Sequence, residues 1–90
     1  MNKRIKILEQ AIDLIDETGE RTETYGSAQE NFQRIADGWS ILIDAPVTPE
    51  QVALCMAWLK LARLVGPKPT DDGYIDAAAY VALAAELSID

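Results

Sequence analysis

The sequence predicts an all-α protein, a compact four-helix bundle formed as a single helical domain over residues 1–90. Three observations lead to this prediction. Apolar residues recur with helical spacing in four segments, two of those segments begin with capping-box sequences, and no segment alternates apolar and polar residues for long enough to make a strand. Because a chain of this length buries only a modest share of its surface, we also expect a homo-oligomer.

The first two helices are predicted from their apolar stripes and their ends. The first runs from about Asn2 to Thr18 and stops at Gly19. Its core stripe is Ile5, Leu8, Ile12 and Ile15, widened by Ile7, Ala11 and Leu14. The second begins after Ser27, whose hydroxyl is expected to accept the amide of Glu30 while the Glu30 side chain accepts the amide of Ser27. Its core face is Phe32, Ile35, Trp39 and Ile43, with Leu42 beside them, and the segment from Asp44 to Val47 ends it.

The third and fourth helices are predicted to form the antiparallel centre of the bundle. Thr48 is the expected N-cap of the third helix, with Pro49 at its first position and Gln51 as the returning partner. From residue 51 to residue 65, 12 of 15 residues are apolar, and from residue 74 to residue 87, 12 of 14 are apolar. A helix that is apolar all round is buried in a core or in an interface. We therefore expect Trp39 and Trp58 to be core anchors and Cys55 to be a buried thiol.

Composition excludes several classes of function. The net charge is -7, so the chain should not bind nucleic acid polymers or anionic membranes. There is no histidine and only one cysteine, which excludes histidine-based catalytic triads, internal disulfides and the common zinc sites. No apolar run is long enough to span a bilayer and no signal peptide is recognisable, so we expect a cytoplasmic protein.

The few charges in the two apolar helices are the candidate site. Lys60 and Arg63 share a face of the third helix, and Asp72, Asp76 and Tyr80 form a stripe on the fourth. In an antiparallel pair, Arg63 lies near Asp72 and Lys60 near Asp76. Two interpretations remain open: the residues form two structural salt bridges, or Lys60 and Arg63 bind phosphate oxygens while the aspartates hold Mg²⁺ or orient the cations.

The second helix and the loop before it carry further candidates, each with a structural alternative. Glu30 is either a metal ligand or only part of the capping box. Tyr25 precedes a helix N-terminus, where it could approach an anion or simply form a turn. Asn31 and Arg34 form either a solvated face or a second wall of the same pocket.

These segments resemble a phage and prophage family of uncharacterised small proteins. The similarity lies in the sequence YG-x-x-x-E-N-F-x-R-I-A from Tyr25, the sequence T-P-E-x-V-A from Thr48, the sequence K-x-A-R-L from Lys60, and the Asp72, Asp76, Tyr80 spacing. The pattern is also distantly similar to the all-α nucleotide pyrophosphohydrolases of the MazG type and to phage nucleotide-modification-associated domains. That resemblance implies a MazG-like helical oligomer that binds a nucleotide, with its phosphates held by Mg²⁺, in the cytoplasm of a bacterial host.

Three functions follow as expectations. The first is binding of a nucleotide or cyclic nucleotide, with an anti-defence role in which a host signal is sequestered. Its ligand-binding residues would be Tyr25, Asn31, Arg34, Lys60, Arg63 and Tyr80. The second is a Mg²⁺-dependent pyrophosphohydrolase with Glu30, Asp72 and Asp76 as metal ligands. Those enzymes carry an E-x-x-E pair on one helix and an E-x-x-D pair on another, whereas here Glu30 has no carboxylate at position 33 or 34, and Asp72 and Asp76 are four residues apart. The third is a non-catalytic module for oligomerisation or for contact with a host protein.

Overall fold

The computed structural model describes residues 2–16 and 26–88, and the regular structure within these two segments is entirely α-helical. The four described helices are α1 (Lys3–Ile15), α2 (Ala28–Ile43), α3 (Pro49–Leu64) and α4 (Asp71–Leu87). The prediction of an all-α protein with four helices is therefore confirmed for the described residues. The helix α1 ends earlier than predicted, because Asp16 is already extended, and Thr18 lies outside the described residues.

Each described helix begins with a side-chain cap. The oxygens of Asn2, Ser27, Thr48 and Thr70 accept backbone amides three residues ahead, at 3.1 to 3.3 Å. The capping box at Thr48 is complete, since the side chain of Gln51 accepts the Thr48 amide at 2.9 Å. The box at Ser27 differs from the prediction: the Glu30 carboxylate accepts the Ser27 hydroxyl at 3.2 Å instead of the Ser27 amide. All four helix starts are thus determined locally.

Helices α3 and α4 form an antiparallel hairpin with the most extensive contact in the fold. The Lys60 ammonium of α3 reaches Asp76 of α4, and closer to the connecting turn the Leu64 side chain packs against Gly73. Both contacts pair residues at equal distances from the turn, as an antiparallel arrangement requires. Helix α1 packs on α4, and α2 packs on α3.

The core consists of two clusters that meet on α4. The larger joins α2, α3 and α4 through Phe32, Ala36, Val52, Ala53, Ala84 and Leu87. The smaller joins α1 to α4 through Ala11, Ile75 and Ala79. Because most of these residues are alanines, the helices approach closely, and the few large side chains determine where gaps remain.

Only part of the predicted stripe of α1 is buried. Ile7, Ala11 and Ile15 face α4, whereas Ile5, Leu8 and Ile12 are exposed. Both sets have helical spacing, so periodicity alone could not decide between them. Since the main contact of α1 is with α4, a single row of side chains at every fourth position is enough to bury the helix.

Three expectations of burial were also wrong. Trp58 is 70% exposed, Cys55 is exposed, and Leu42 and Ile43 at the end of α2 are exposed. Trp39 does pack against the larger core cluster, as expected. The uniformly apolar sequence of α3 therefore has a buried side and a solvent-exposed side. None of the described helices combines the length and the apolar character that crossing a bilayer requires.

Candidate functional site

A cavity of about 630 Å³ lies between the end of α1, the start of α2, and the α3–α4 hairpin. It separates the two core clusters, since Phe32 of the larger cluster and Ala79 of the smaller both line it. Most of its wall is apolar. The polar groups that line it are Asp16, Ser27, Asn31, Lys60, Asp76 and Tyr80. An apolar cavity of this size with a few convergent polar groups is typical of a small-molecule site.

The Lys60–Asp76 ion pair joins the two central helices at the wall of this cavity. The Lys60 ammonium lies 3.1 Å from the Asp76 carboxylate, and the two side chains are 20% and 29% exposed. The predicted proximity of these residues is confirmed. Because the pair is only partly desolvated, it retains access to the cavity, and both groups remain available to a polar ligand.

Tyr80 lies one helical turn after Asp76 and supplies the aromatic part of the same wall. Its ring meets Phe32 of α2 edge to face, with ring centroids 6.3 Å apart and an angle of 71° between the planes. Such an arrangement holds both rings in place. The cavity therefore has a charged end at Lys60 and Asp76 and an aromatic side at Tyr80 and Phe32.

Asn31 and Arg34, which could have formed either a solvated face or a second wall, differ from each other. Asn31 is partly buried and lines the cavity, whereas Arg34 is exposed and lies outside its lining. Arg34 instead lies 3.9 Å from Glu30 one turn earlier on α2, and both side chains face solvent. Tyr25 lies outside the described residues, while the neighbouring Gly26 and Ser27 line the cavity.

A second, smaller cleft of about 340 Å³ adjoins the cavity at the turn between α3 and α4. Lys60 and Asp76 line both spaces. The other residues of the cleft are Arg63, Leu64, Lys68, Thr70, Asp72 and Gly73. It therefore contains three cations against two carboxylates, in a protein whose net charge is -7. Within the described residues, Arg63 and Asp72 share this cleft without forming the ion pair that the antiparallel register suggested.

The three carboxylates expected to bind a metal do not converge. Glu30 is engaged with Ser27 and Arg34 on the surface of α2, Asp76 pairs with Lys60, and Asp72 lines only the smaller cleft. Over residues 2–16 and 26–88, no three acidic or cysteine side chains come together as metal ligands. These residues do not fit a Mg²⁺ site formed by the protein alone, which would need carboxylate oxygens within about 2.1 Å of one point.

Two contributors to the site were missed by sequence reasoning. Lys68 lies in the turn between the helices and adds a third cation to the cleft. Its position after Pro67 in so short a connection could have placed it near Arg63 and Asp72. Phe32 was assigned only to the core, although it also lines the cavity. Periodicity shows that a side chain faces inward but cannot show that a space lies beside it.

Fold and cavity together describe a small helical domain with a cavity between its helices. Residues 6–88 match the family described as a domain of unknown function, DUF6378, and the chain belongs to that family. The expectation of an uncharacterised family with phage members is confirmed by two relatives. The chain is 34% identical over 86 residues to the Gene 55 protein of Mycobacterium phage L5, covering 94% of this chain and 54% of the relative.

The second relative is the Gene 55 protein of Mycobacterium phage D29, 38% identical over 74 residues that cover 82% of this chain and 48% of the relative. The chain thus spans about half the length of the curated relatives it matches. No solved structure matches it.

Proposed function

We propose that this domain binds a nucleotide or cyclic nucleotide through contacts to phosphate. The observation that carries the proposal is the position of the Lys60–Asp76 pair, which lies on the boundary between an apolar cavity and a cation-rich cleft. A nucleotide has groups that match these two spaces, because it carries an aromatic base at one end and anionic phosphate at the other.

The two spaces would share the ligand between them. The cavity offers the Tyr80 and Phe32 rings for contact with a base and the Asn31 amide for its polar edge. The cleft offers Arg63 and Lys68 for phosphate oxygens, with Lys60 reaching either space. Asp76 would hold the Lys60 ammonium in place and would repel a ligand that brought phosphate into the apolar end.

The resemblance to MazG-type pyrophosphohydrolases supports a nucleotide ligand more than it supports catalysis. Hydrolysis in such a site depends on several carboxylates around Mg²⁺, and in the described residues Glu30 lies apart from Asp72 and Asp76. A Mg²⁺ ion brought in on the ligand's phosphates, with Asp72 as one contact, stays compatible with binding. We therefore favour a non-catalytic nucleotide-binding protein.

The phage relatives suggest a setting for this binding. A small phage-type protein that captures a nucleotide in the bacterial cytoplasm, without turning it over, would lower the free concentration of that nucleotide. If the nucleotide is a signal of a host defence system, capture would weaken the signal. This anti-defence role is part of the proposal and depends entirely on the identity of the ligand.

A thermal-shift screen tests the binding step. Purified protein is heated with nucleoside mono-, di- and triphosphates and with cyclic mono- and dinucleotides. A ligand at ten times its Kd should stabilise the protein by about 1.4 kcal/mol, which raises the Tm by several degrees. We expect Lys60→Ala to lose this shift. Lys3→Ala is the matched control, because Lys3 also forms an ion pair, with Asp71 at 3.1 Å, but lies outside the cavity.

Two results would count against nucleotide binding. One is the absence of a shift with every compound while the wild-type protein unfolds cooperatively. The other is an equal shift in Lys60→Ala and Lys3→Ala. Release of pyrophosphate from a nucleoside triphosphate with Mg²⁺, abolished by Asp76→Ala, would establish the enzyme instead of the binding protein.

A further inference from the structure

The middle of the side of the α3–α4 hairpin that faces away from the cavity carries no charge, and the exposed Arg63, Asp71 and Glu86 lie just beyond it. Among residues 51–62 of α3, the exposed residues are Gln51, Leu54, Cys55, Trp58, Leu59, Leu61 and Ala62. Among residues 74–85 of α4, they are Tyr74, Val81, Ala82 and Ala85. In a chain of which 26% is charged, this uncharged and largely apolar surface needs a cover.

The two exposed sets lie on the same side of the hairpin. Lys60 and Asp76 point into the cavity towards α1 and α2. A residue two positions away on a helix is turned by about 200°, so Trp58 on α3 and Tyr74 on α4 point the opposite way. We call this surface the outer face and define it by Leu54, Trp58 and Leu61 of α3, together with Tyr74, Val81, Ala82 and Ala85 of α4.

We propose that the outer face is a homodimer interface in which the α3–α4 hairpins of two copies pack against each other. The two helices contribute surfaces of different depth. Leu54, Trp58 and Leu61 form a bulky ridge along α3, and the small side chains of Ala82 and Ala85 form a shallow alanine row along α4. A two-fold axis places the ridge of each copy over the alanine row of the other.

Charge also favours a second copy. Each chain carries a net charge of -7, so two copies repel wherever their acidic surfaces meet. The outer face is where two such chains can touch without bringing carboxylates together, whereas a basic partner protein would gain more by binding an acidic surface. The polar ends of the hairpin, with Glu50 at one end of α3 and Lys68 and Asp71 near the other, would form the rim.

The size of the outer face suits a weak dimer. Residues 74–85 of α4, the longer of its two edges, extend for about 18 Å, and two helices side by side are about 20 Å wide. One copy therefore presents about 360 Å², and two copies bury about 700 Å², which is in the range of weak interfaces. The cavity opens on the other side of the hairpin, so dimerisation through the outer face leaves both candidate sites accessible.

Sedimentation equilibrium of the full chain tests the interface with matched glutamate substitutions. We expect the wild-type protein to dimerise and Trp58→Glu to raise the dimer dissociation constant at least tenfold, with an unchanged helical circular dichroism spectrum. Val81→Glu, on the other helix of the outer face, should do the same if Trp58→Glu fails to fold. Leu8→Glu is the control, because Leu8 is an exposed apolar residue of α1 away from the outer face.

Cross-linking adds a second measurement. Cys55 is the one cysteine of the chain and is exposed beside Trp58, so a bis-maleimide that links two cysteine thiols must join two copies. We expect efficient dimer cross-linking in the wild type and in Leu8→Glu, and little in Trp58→Glu. A wild-type chain that stays monomeric at high concentration would overturn the proposal, as would a dimer that Leu8→Glu dissociates and Trp58→Glu does not.

Discussion

The two sides of the α3–α4 hairpin belong to the same two apolar helices but differ in their charges and in their surroundings. On the inner side, Lys60 and Asp76 pair beside a cavity, and on the outer side Trp58 and Leu61 face solvent. The inner side concentrates the few charges of both helices, and the outer side excludes them. The contrast teaches that a helix apolar all round can serve two contacts, one within the chain and one outside it.

The contrast is sharpest between two residues of α3 that differ by two positions. Val52 is 0% exposed in the core, and Leu54 is 46% exposed on the outer face. We expect Val52→Ala to lower the free energy of unfolding by about 2–3 kcal/mol, because it removes two methyl groups and leaves a cavity. Leu54→Ala, measured by urea unfolding at a concentration that keeps the protein monomeric, should cost well under 1 kcal/mol. Equal losses would mean that the outer face is part of the monomer core.

Substitutions on the inner side can show whether the Lys60–Asp76 pair only stabilises the fold or also binds a ligand. Asp76→Ala leaves the partly buried Lys60 ammonium without its partner. This change should lower the free energy of unfolding by about 1–2 kcal/mol, which is less than for a fully buried pair because both side chains are partly exposed. The double variant Lys60→Met/Asp76→Leu replaces the pair with apolar groups and should recover most of that loss. It should nevertheless fail to bind any nucleotide that stabilises the wild type. A double variant that folds and still binds would show that the pair is only structural.

The secondary structure and the central pairing were predictable because they depend on local or nearly local signals. The caps at Ser27 and Thr48 satisfy amides three residues away, so the sequence alone reveals them. The short connection between α3 and α4 leaves an antiparallel register as the simple solution, and this placed Lys60 beside Asp76. The helix starts and the antiparallel register were therefore enough to predict the Lys60–Asp76 pair of the candidate site.

What could not be predicted depends on which neighbour each helix meets. The predicted stripe of α1 contained Ile5, Leu8 and Ile12 as well as Ile7, Ala11 and Ile15, and only packing on α4 shows that the second set contacts the core. Trp58 was expected inside because large aromatic residues usually are, but it lies on the side of α3 opposite Lys60 and is 70% exposed. Gaps between side chains, such as the cavity itself, have no signature in hydrophobic spacing.

Salt should affect the two sides of the hairpin in opposite directions. Raising sodium chloride from about 0.05 M to about 0.5 M shortens the distance over which charges act to a few ångströms. Nucleotide binding at Lys60, Arg63 and Lys68 should weaken several-fold, because those cations attract phosphate. Dimerisation through the uncharged outer face should become somewhat tighter, because the repulsion between two chains of charge -7 is screened. Calorimetric titration and sedimentation at both salt concentrations measure the two effects. A dimer that dissociates as salt rises would indicate an interface made by charged residues.

The smallest expected effect comes from two glycines that differ in what a methyl group would meet. At Gly38, on α2, a Cβ atom would have no heavy atom within 4 Å, so Gly38→Ala should stabilise the protein by about 0.5–1 kcal/mol through helix propensity. At Gly73, at the start of α4, a Cβ atom would lie 2.7 Å from the Leu64 side chain. Leu64 would have to move, and since both residues line the cleft, the gain in propensity should be cancelled or reversed. Thermal unfolding of the two variants gives the comparison directly. A Gly73→Ala protein as stable as Gly38→Ala would mean that the hairpin turn is less tightly packed than the Leu64 contact indicates, and the cleft beside it would be correspondingly less well formed.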